Sequence, residues 1–135
     1  WTLDYLTSEL TRTNDAITAI TGQPVCFFRP PGGYTDNVLK ATGKLGMASV
    51  MWSVDTEDWR QPSKTTSAAT KEIVSSATTI GTQTHPVVLL HSGKASHEPD
   101  SVVGRYRGNT VAALPSIIEW YRAKGFTFVR LDGVS

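Results

Sequence analysis

The sequence predicts an α/β protein built from parallel β/α units. Two observations carry this. Segments with apolar residues at three- and four-residue spacing alternate with short apolar runs along the chain. Those runs are continuously apolar, as in strands buried on both faces of a parallel sheet.

The first helix is marked by Leu3, Leu6, Leu10, Ile17 and Ile20, which fall on one face, and Gly22 follows as a C-terminal cap. Val25 to Phe28 is a short run rich in aromatic and β-branched side chains and reads as the first strand. Pro30-Pro31-Gly32-Gly33 breaks regular structure. Asp36 or Asn37 can cap a second helix running to about Leu45, with Gly46 as its stop. Ala48 to Val54 reads as the second strand, followed by a polar loop through Pro62 and Ser63. Residues Thr66 to Ile80 form a third helix with Ala69, Ile73, Ala77 and Ile80 on one face. Val87 to Leu90 is the third strand, and a long polar loop runs from Ser92 to Gly108. Asn109 caps a fourth helix whose apolar face is Val111, Leu114, Ile117, Ile118 and Tyr121. Gly125 ends it, and Phe126 to Val129 is the last strand. An open doubly wound sheet and part of a (β/α) barrel both fit this order, with right-handed connections.

Composition narrows the function classes. The 135 residues suffice for one domain with its own core. Thirteen Lys plus Arg nearly balance twelve Asp plus Glu, and no basic run points to nucleic acid. The longest apolar stretches, such as Pro86 to Leu90, are too short to span a bilayer. Cys26 is the single cysteine, so no disulfide forms within the chain, and its apolar neighbours predict a buried, inert thiol.

Active sites of parallel α/β folds form at the carboxyl ends of the strands. Three successive strand ends here carry polar groups: Arg29 to Tyr34 after the first, Asp55-Thr56-Glu57-Asp58-Trp59 after the second, and His91 after the third. They are expected to converge on one rim. His91 suits a general acid near neutral pH, and a carboxylate beside it, Asp58 or Asp55, favours its charged form. Arg29 can orient a further carboxylate through a bidentate pair. Trp59 can stack on a sugar ring or wall a pocket. Gly32 and Gly33 allow backbone N–H groups to approach a ligand, as an oxyanion hole requires.

These segments resemble the NodB-homology polysaccharide deacetylases, carbohydrate esterase family four. Phe28-Arg29-Pro30-Pro31-Gly32-Gly33-Tyr34 is similar to the family's third motif, Asp55-Thr56-Glu57-Asp58-Trp59 to its fourth, Asp-x-x-Asp-Trp, and Leu89-Leu90-His91 to its fifth, Leu-x-His. The stretch Thr13 to Gly22 before the third motif and Tyr121 to Phe126 near the C-terminus resemble the family as well. The resemblance implies part of a distorted (β/α) barrel, with residues 1–135 as the C-terminal portion of one deacetylase domain. It implies that Arg29 holds a catalytic-base Asp located elsewhere and that the backbone near Gly32 and Gly33, beside Tyr34, contributes an oxyanion donor. It further implies that Asp58 tunes His91, that His91 protonates the leaving group, and that Trp59 and Leu89 wall the acetyl pocket. Gly32 departs from the pattern, because many relatives place an aromatic residue there.

The family's first two motifs, which supply the base and the metal ligands, do not occur in this chain, which starts at Trp1 rather than Met. The cofactor implied is therefore a divalent metal, zinc by preference, bound by residues outside the chain, and an N-terminal segment of the same protein is the expected partner. His85 and His91 cannot stand in for the missing ligands. They flank one strand about 20 Å apart, whereas a metal holds ligand nitrogens at about 2 Å. His85 reads as a solvated loop residue, while His97, in the polar loop, could swing toward the rim. The resemblance implies an acetylated polysaccharide as substrate (peptidoglycan, chitin-like polymers or xylan) and a secreted or cell-wall location. Two rivals stand beside this: a non-catalytic carbohydrate- or partner-binding derivative, and an unrelated α/β enzyme. No Gly-x-Ser-x-Gly elbow or nucleotide fingerprint is present to favour the latter.

Overall fold

A computed structural model describes residues 1–94, 98–99 and 105–132. The chain divides into two compact units, Trp1–Met51 and a second beginning at Trp52, each described by itself. Both carry parallel strand pairs alternating with helices, the predicted fold class.

In the first unit, α1 spans Leu3–Thr21. The Thr2 hydroxyl accepts the Tyr5 N–H at its start, and Gly22 closes it in the left-handed conformation with φ 66°. β1 (Phe27–Phe28) pairs in parallel with β2 (Ala48–Ser49), and α2 (Asp36–Lys44) connects them. Thr35, not Asp36 or Asn37, is the N-cap of α2; Asp36 sits in the first turn, and Asn37 donates to the Trp1 carbonyl at 3.2 Å. Leu10, Val38, Ala41 and Met47 form the buried apolar set. Cys26 is exposed rather than buried. Its carbonyl accepts the Ala48 N–H at 2.8 Å just ahead of β1, while its side chain stays outside the buried set.

In the second unit, β3 (Val54–Asp55) pairs in parallel with β4 (Val88–Leu89). The expected single strand Ala48 to Val54 is thus two short strands in separate sheets. Its middle leaves the ladder because the N–H groups of Ser53 and Val54 both turn to the Val87 carbonyl, at 3.0 and 3.1 Å. α3 (Ser67–Thr78) starts under a Thr66 cap, the hydroxyl accepting the Ala69 N–H at 3.1 Å. α4 spans Gly108–Ala123. Ile73 and Ala77 of α3 form the core with Ala113, Ile117 and Tyr121 of α4, and Val74, Ile80, Val88, Leu90, Trp120 and Phe126 surround it.

Three expectations for the C-terminal part are corrected. The buried face of α4 is Asn109, Thr110, Ala113, Ile117 and Tyr121, while Val111 is 65% exposed. Small Ala113 packs in the cluster with Ala77, and the Tyr121 hydroxyl donates to the Ala77 carbonyl at 2.7 Å, which sets the rotation of α4. Asn109 lies inside the helix rather than capping it; its carbonyl oxygen accepts the Thr66 N–H, and its NH₂ donates to the carbonyls of Pro62 and Lys64. Phe126 to Val129 forms no strand. Phe126 and Phe128 instead pack edge-on against the Tyr121 ring, and the Phe126 N–H bonds the Tyr121 carbonyl at 3.0 Å.

Candidate active site

The site in the second unit begins where β3 runs out. Asp55 Oδ1 accepts the Glu57 N–H at 2.9 Å, a side-chain turn that helps reverse the backbone. Glu57 takes the left-handed conformation, φ 48°, which costs an ordinary residue roughly 1–2 kcal/mol. The turn delivers Asp58, first residue of a single 3₁₀ turn, Asp58–Arg60, into the interior, where it is 1% exposed.

A buried carboxylate must be fully hydrogen-bonded, and this one is. Its Oδ1 lies 2.7 Å from His91 Nδ1. Its Oδ2 accepts the His91 backbone N–H at 3.0 Å and the Thr110 hydroxyl at 2.7 Å. Burial pushes the Asp58 carboxyl up, but the three bonds together outweigh it and hold the group below its ordinary value. An ionised Asp58 can only accept, so His91 Nδ1 carries a proton and Nε2 is the ring's exchangeable position. The His91 side chain remains 32% exposed, so part of the ring is open to a ligand.

A consequence for acid stability follows. The folded Asp58 has a lower pKa than the unfolded one, so its stabilisation is complete above the unfolded value near ~3.9 and is lost as pH falls through the folded value. Asp58→Asn will therefore flatten the acid limb of the thermal midpoint as pH falls below about 5. A variant limb as steep as that of the unsubstituted protein would assign the acid dependence to other groups.

The remaining predicted residues divide between the two units. Asp55, the other candidate partner of His91, is engaged elsewhere: its Oδ2 accepts the Trp52 indole N–H at 3.2 Å. Trp59 is half-buried beneath the Arg60 guanidinium, 4.5 Å from the ring centre. Leu89 is buried on β4, and its carbonyl accepts the Thr56 hydroxyl at 2.8 Å. His85 is exposed, beside the Thr84 hydroxyl at 3.0 Å, as expected of a solvated residue, and His97 lies outside the described residues.

Arg29, Gly32, Gly33 and Tyr34 belong to the first unit. Arg29 is exposed at the end of β1. Gly32 and Gly33 both have positive φ, 63° and 74°, and the Gly33 N–H is taken up by the Pro30 carbonyl at 3.0 Å. A Cβ at Gly32 would stand 2.8 Å from the Tyr34 ring. The aromatic surface at this turn is thus supplied two residues later than in the resembling motif.

The polysaccharide deacetylase family profile matches residues 1–50. A peptidoglycan-N-acetylglucosamine deacetylase of Bacillus cereus is 34% identical over 108 residues, covering 78% of this chain and 43% of that protein. Among solved structures, a family 4 carbohydrate esterase from Streptomyces lividans in complex with acetate superposes with a TM-score of 0.66 at 29% identity, over 93% of this chain and 55% of that one. The chain belongs to the NodB-homology polysaccharide deacetylase family. A carbohydrate esterase family 4 pseudoenzyme from Bacillus anthracis is also similar, with a TM-score of 0.69 at 26% identity, over 94% of this chain and 38% of that one. The fold is accordingly that of a partial (β/α) barrel. The chain spans less than half the length of the curated relatives it matches.

Among the described residues no three His, Cys, Asp or Glu side chains cluster to hold a metal ion. Two residues were missed by the sequence reading. Thr56 and Thr110 are buried, and their hydroxyls fasten Leu89 and Asp58. For Thr56 the available signal was its place between Asp55 and Asp58, because a threonine buried there must give its hydroxyl a partner, whereas Thr110 carried no such signal.

Proposed function

We propose that this chain supplies the proton-donating half of a carbohydrate deacetylase, removing acetyl groups from N-acetylglucosamine polymers such as peptidoglycan or chitin-like chains, or from acetylated xylan. The observation that supports it is the Asp58–His91 pair, at 2.7 Å, with the carboxylate buried and the imidazole accessible. In the charged imidazolium, Nδ1–H is committed to Asp58 and Nε2–H is directed outward. As the bond from the acetyl carbon to the sugar nitrogen or oxygen breaks, Nε2 gives its proton to the departing atom and His91 becomes neutral. Asp58 stabilises the charged ring before transfer and keeps it from rotating.

Water activation falls, in this reading, to residues outside the chain, in an N-terminal segment that also holds a divalent metal, zinc by preference. Residues 1–135 are then the C-terminal portion of one deacetylase domain, with Arg29 orienting the base carboxylate of that segment. Gly32, Gly33, Tyr34, Trp59 and Leu89 are assigned to the substrate side. Substrates of this kind place the protein outside the cell or on its wall. No helix among the described residues is long and apolar enough to cross a membrane.

The test is acetate release by the complete protein from N-acetylglucosamine oligomers, peptidoglycan fragments and acetylated xylan. Release from one of these, with matching loss of acetyl mass from the glycan, is expected. Glycan binding without release from any would favour the non-catalytic derivative, the reading to which the likeness to a pseudoenzyme lends weight.

A further inference from the structure

We propose that Thr110 is the positioning residue of the acid: its hydroxyl fixes the orientation of the Asp58 carboxylate, and thereby the Nδ1-protonated form of His91. The inference rests on the reading of His91 as the proton donor.

A carboxylate is attached through a broad, soft torsion, so its two oxygens do not fix their own directions. The main-chain N–H of His91 alone would leave Asp58 free to pivot about a single bond on Oδ2. The Thr110 hydroxyl supplies a second donor to the same oxygen, at 2.7 Å. With Oδ2 held from two sides, Oδ1 is left aimed at Nδ1, again at 2.7 Å.

Thr110 is suited to this by its own setting. It is 5% exposed, and a β-branched side chain in a helix has few χ1 choices. It sits in the first turn of α4, whose N-terminal dipole also favours the negative charge. Its neighbour Asn109 makes three hydrogen bonds to the loop at 62–66, so the turn that presents the hydroxyl is itself tied down. Neither Asn109 nor Thr110 lies in the segments that resemble family motifs.

The experiment compares Thr110→Val, which keeps the shape and removes the hydroxyl, with Thr110→Ser, which keeps the hydroxyl. In the complete protein labelled with ¹⁵N-histidine, long-range proton–nitrogen spectra report which ring nitrogen of neutral His91 holds the proton. The unsubstituted protein and Thr110→Ser are expected to hold it on Nδ1, and Thr110→Val to distribute it over both nitrogens. With an active substrate, kcat falls about tenfold or more in Thr110→Val, the size expected for one hydrogen bond to a charged group. KM stays within about threefold, and Thr110→Ser recovers most of the loss. Thr110→Ala replaces the valine variant, with the same expectations, if that does not fold. An unchanged Nδ1 tautomer in the hydroxyl-free variant overturns the proposal, including when kcat falls, since the hydroxyl would then act elsewhere. If the unsubstituted protein deacetylates nothing, a shifted tautomer still supports the positioning role, and only the deacetylase reading fails.

Discussion

With His91 as the proposed proton donor, replacing it with alanine is expected to lower kcat of the complete protein on its glycan by about 10²–10⁴, the usual worth of a positioned acid. The reason lies in the leaving group. A sugar amine or alkoxide is too basic to depart unprotonated, and His91 keeps Nε2, the ring nitrogen not bonded to Asp58, for that proton while its side chain remains partly accessible. The loss should appear in kcat rather than KM, because a proton moving in the transition state adds little to ground-state binding. It should also shrink with an aryl acetate, whose phenolate leaves without help. Undiminished turnover on a glycan substrate would remove His91 from this role. A loss equal on both substrate types would point to a damaged fold instead.

The largest stability effect is expected at Ile73. It is fully buried at the centre of the α3–α4 cluster, among Ala77, Ala113, Ile117 and Tyr121. Ile73→Ala removes three carbons where small Ala77 on the same helix and Ala113 on α4 cannot reach in to fill the space, so unfolding should be easier by about 2–5 kcal/mol. Denaturant titration would read this as a lower midpoint at unchanged slope. A loss under about 1 kcal/mol would mean that the site collapses freely and that the two helices are not held by this contact.

What the sequence disclosed depended on the range of the interaction. Local signals were legible: the spacing of Leu3 to Ile20, the left-handed Gly22 and the Thr66 boundary all describe structure decided within a few residues. The Asp58–His91 pair was legible in part: adjoining strand ends bring Asp55 or Asp58 toward His91, and the family resemblance singled out Asp58. The rotation of α4 was not. Apolar spacing favoured Val111 and Leu114, but packing on Ala77 and the polar demands of Asp58 turned Thr110 and Ala113 inward. Thr110 stands 52 residues from the carboxylate it serves, and no periodicity encodes such a partner. Strand extent failed for a related reason. Phe126 to Val129 has the composition of a strand, yet a strand exists only beside a neighbour, and these rings stack on Tyr121 instead. Cys26, judged by its apolar neighbours, lies exposed just before the short β1.

The donors to Asp58 come from chain positions 91 and 110, both later than the carboxylate itself. During synthesis, Asp58 therefore emerges long before the groups that make its burial tolerable. Until α4 has been made and has docked, the carboxylate does better in water, and the strand-end motif exists without functioning as a site. Completion of the buried cluster is in this sense a late event in the life of the chain, set by α4 rather than by the segment that carries Asp58. A product ending before position 108 would keep Asp58 and His91 and lose the Thr110 hydroxyl that holds Asp58 Oδ2.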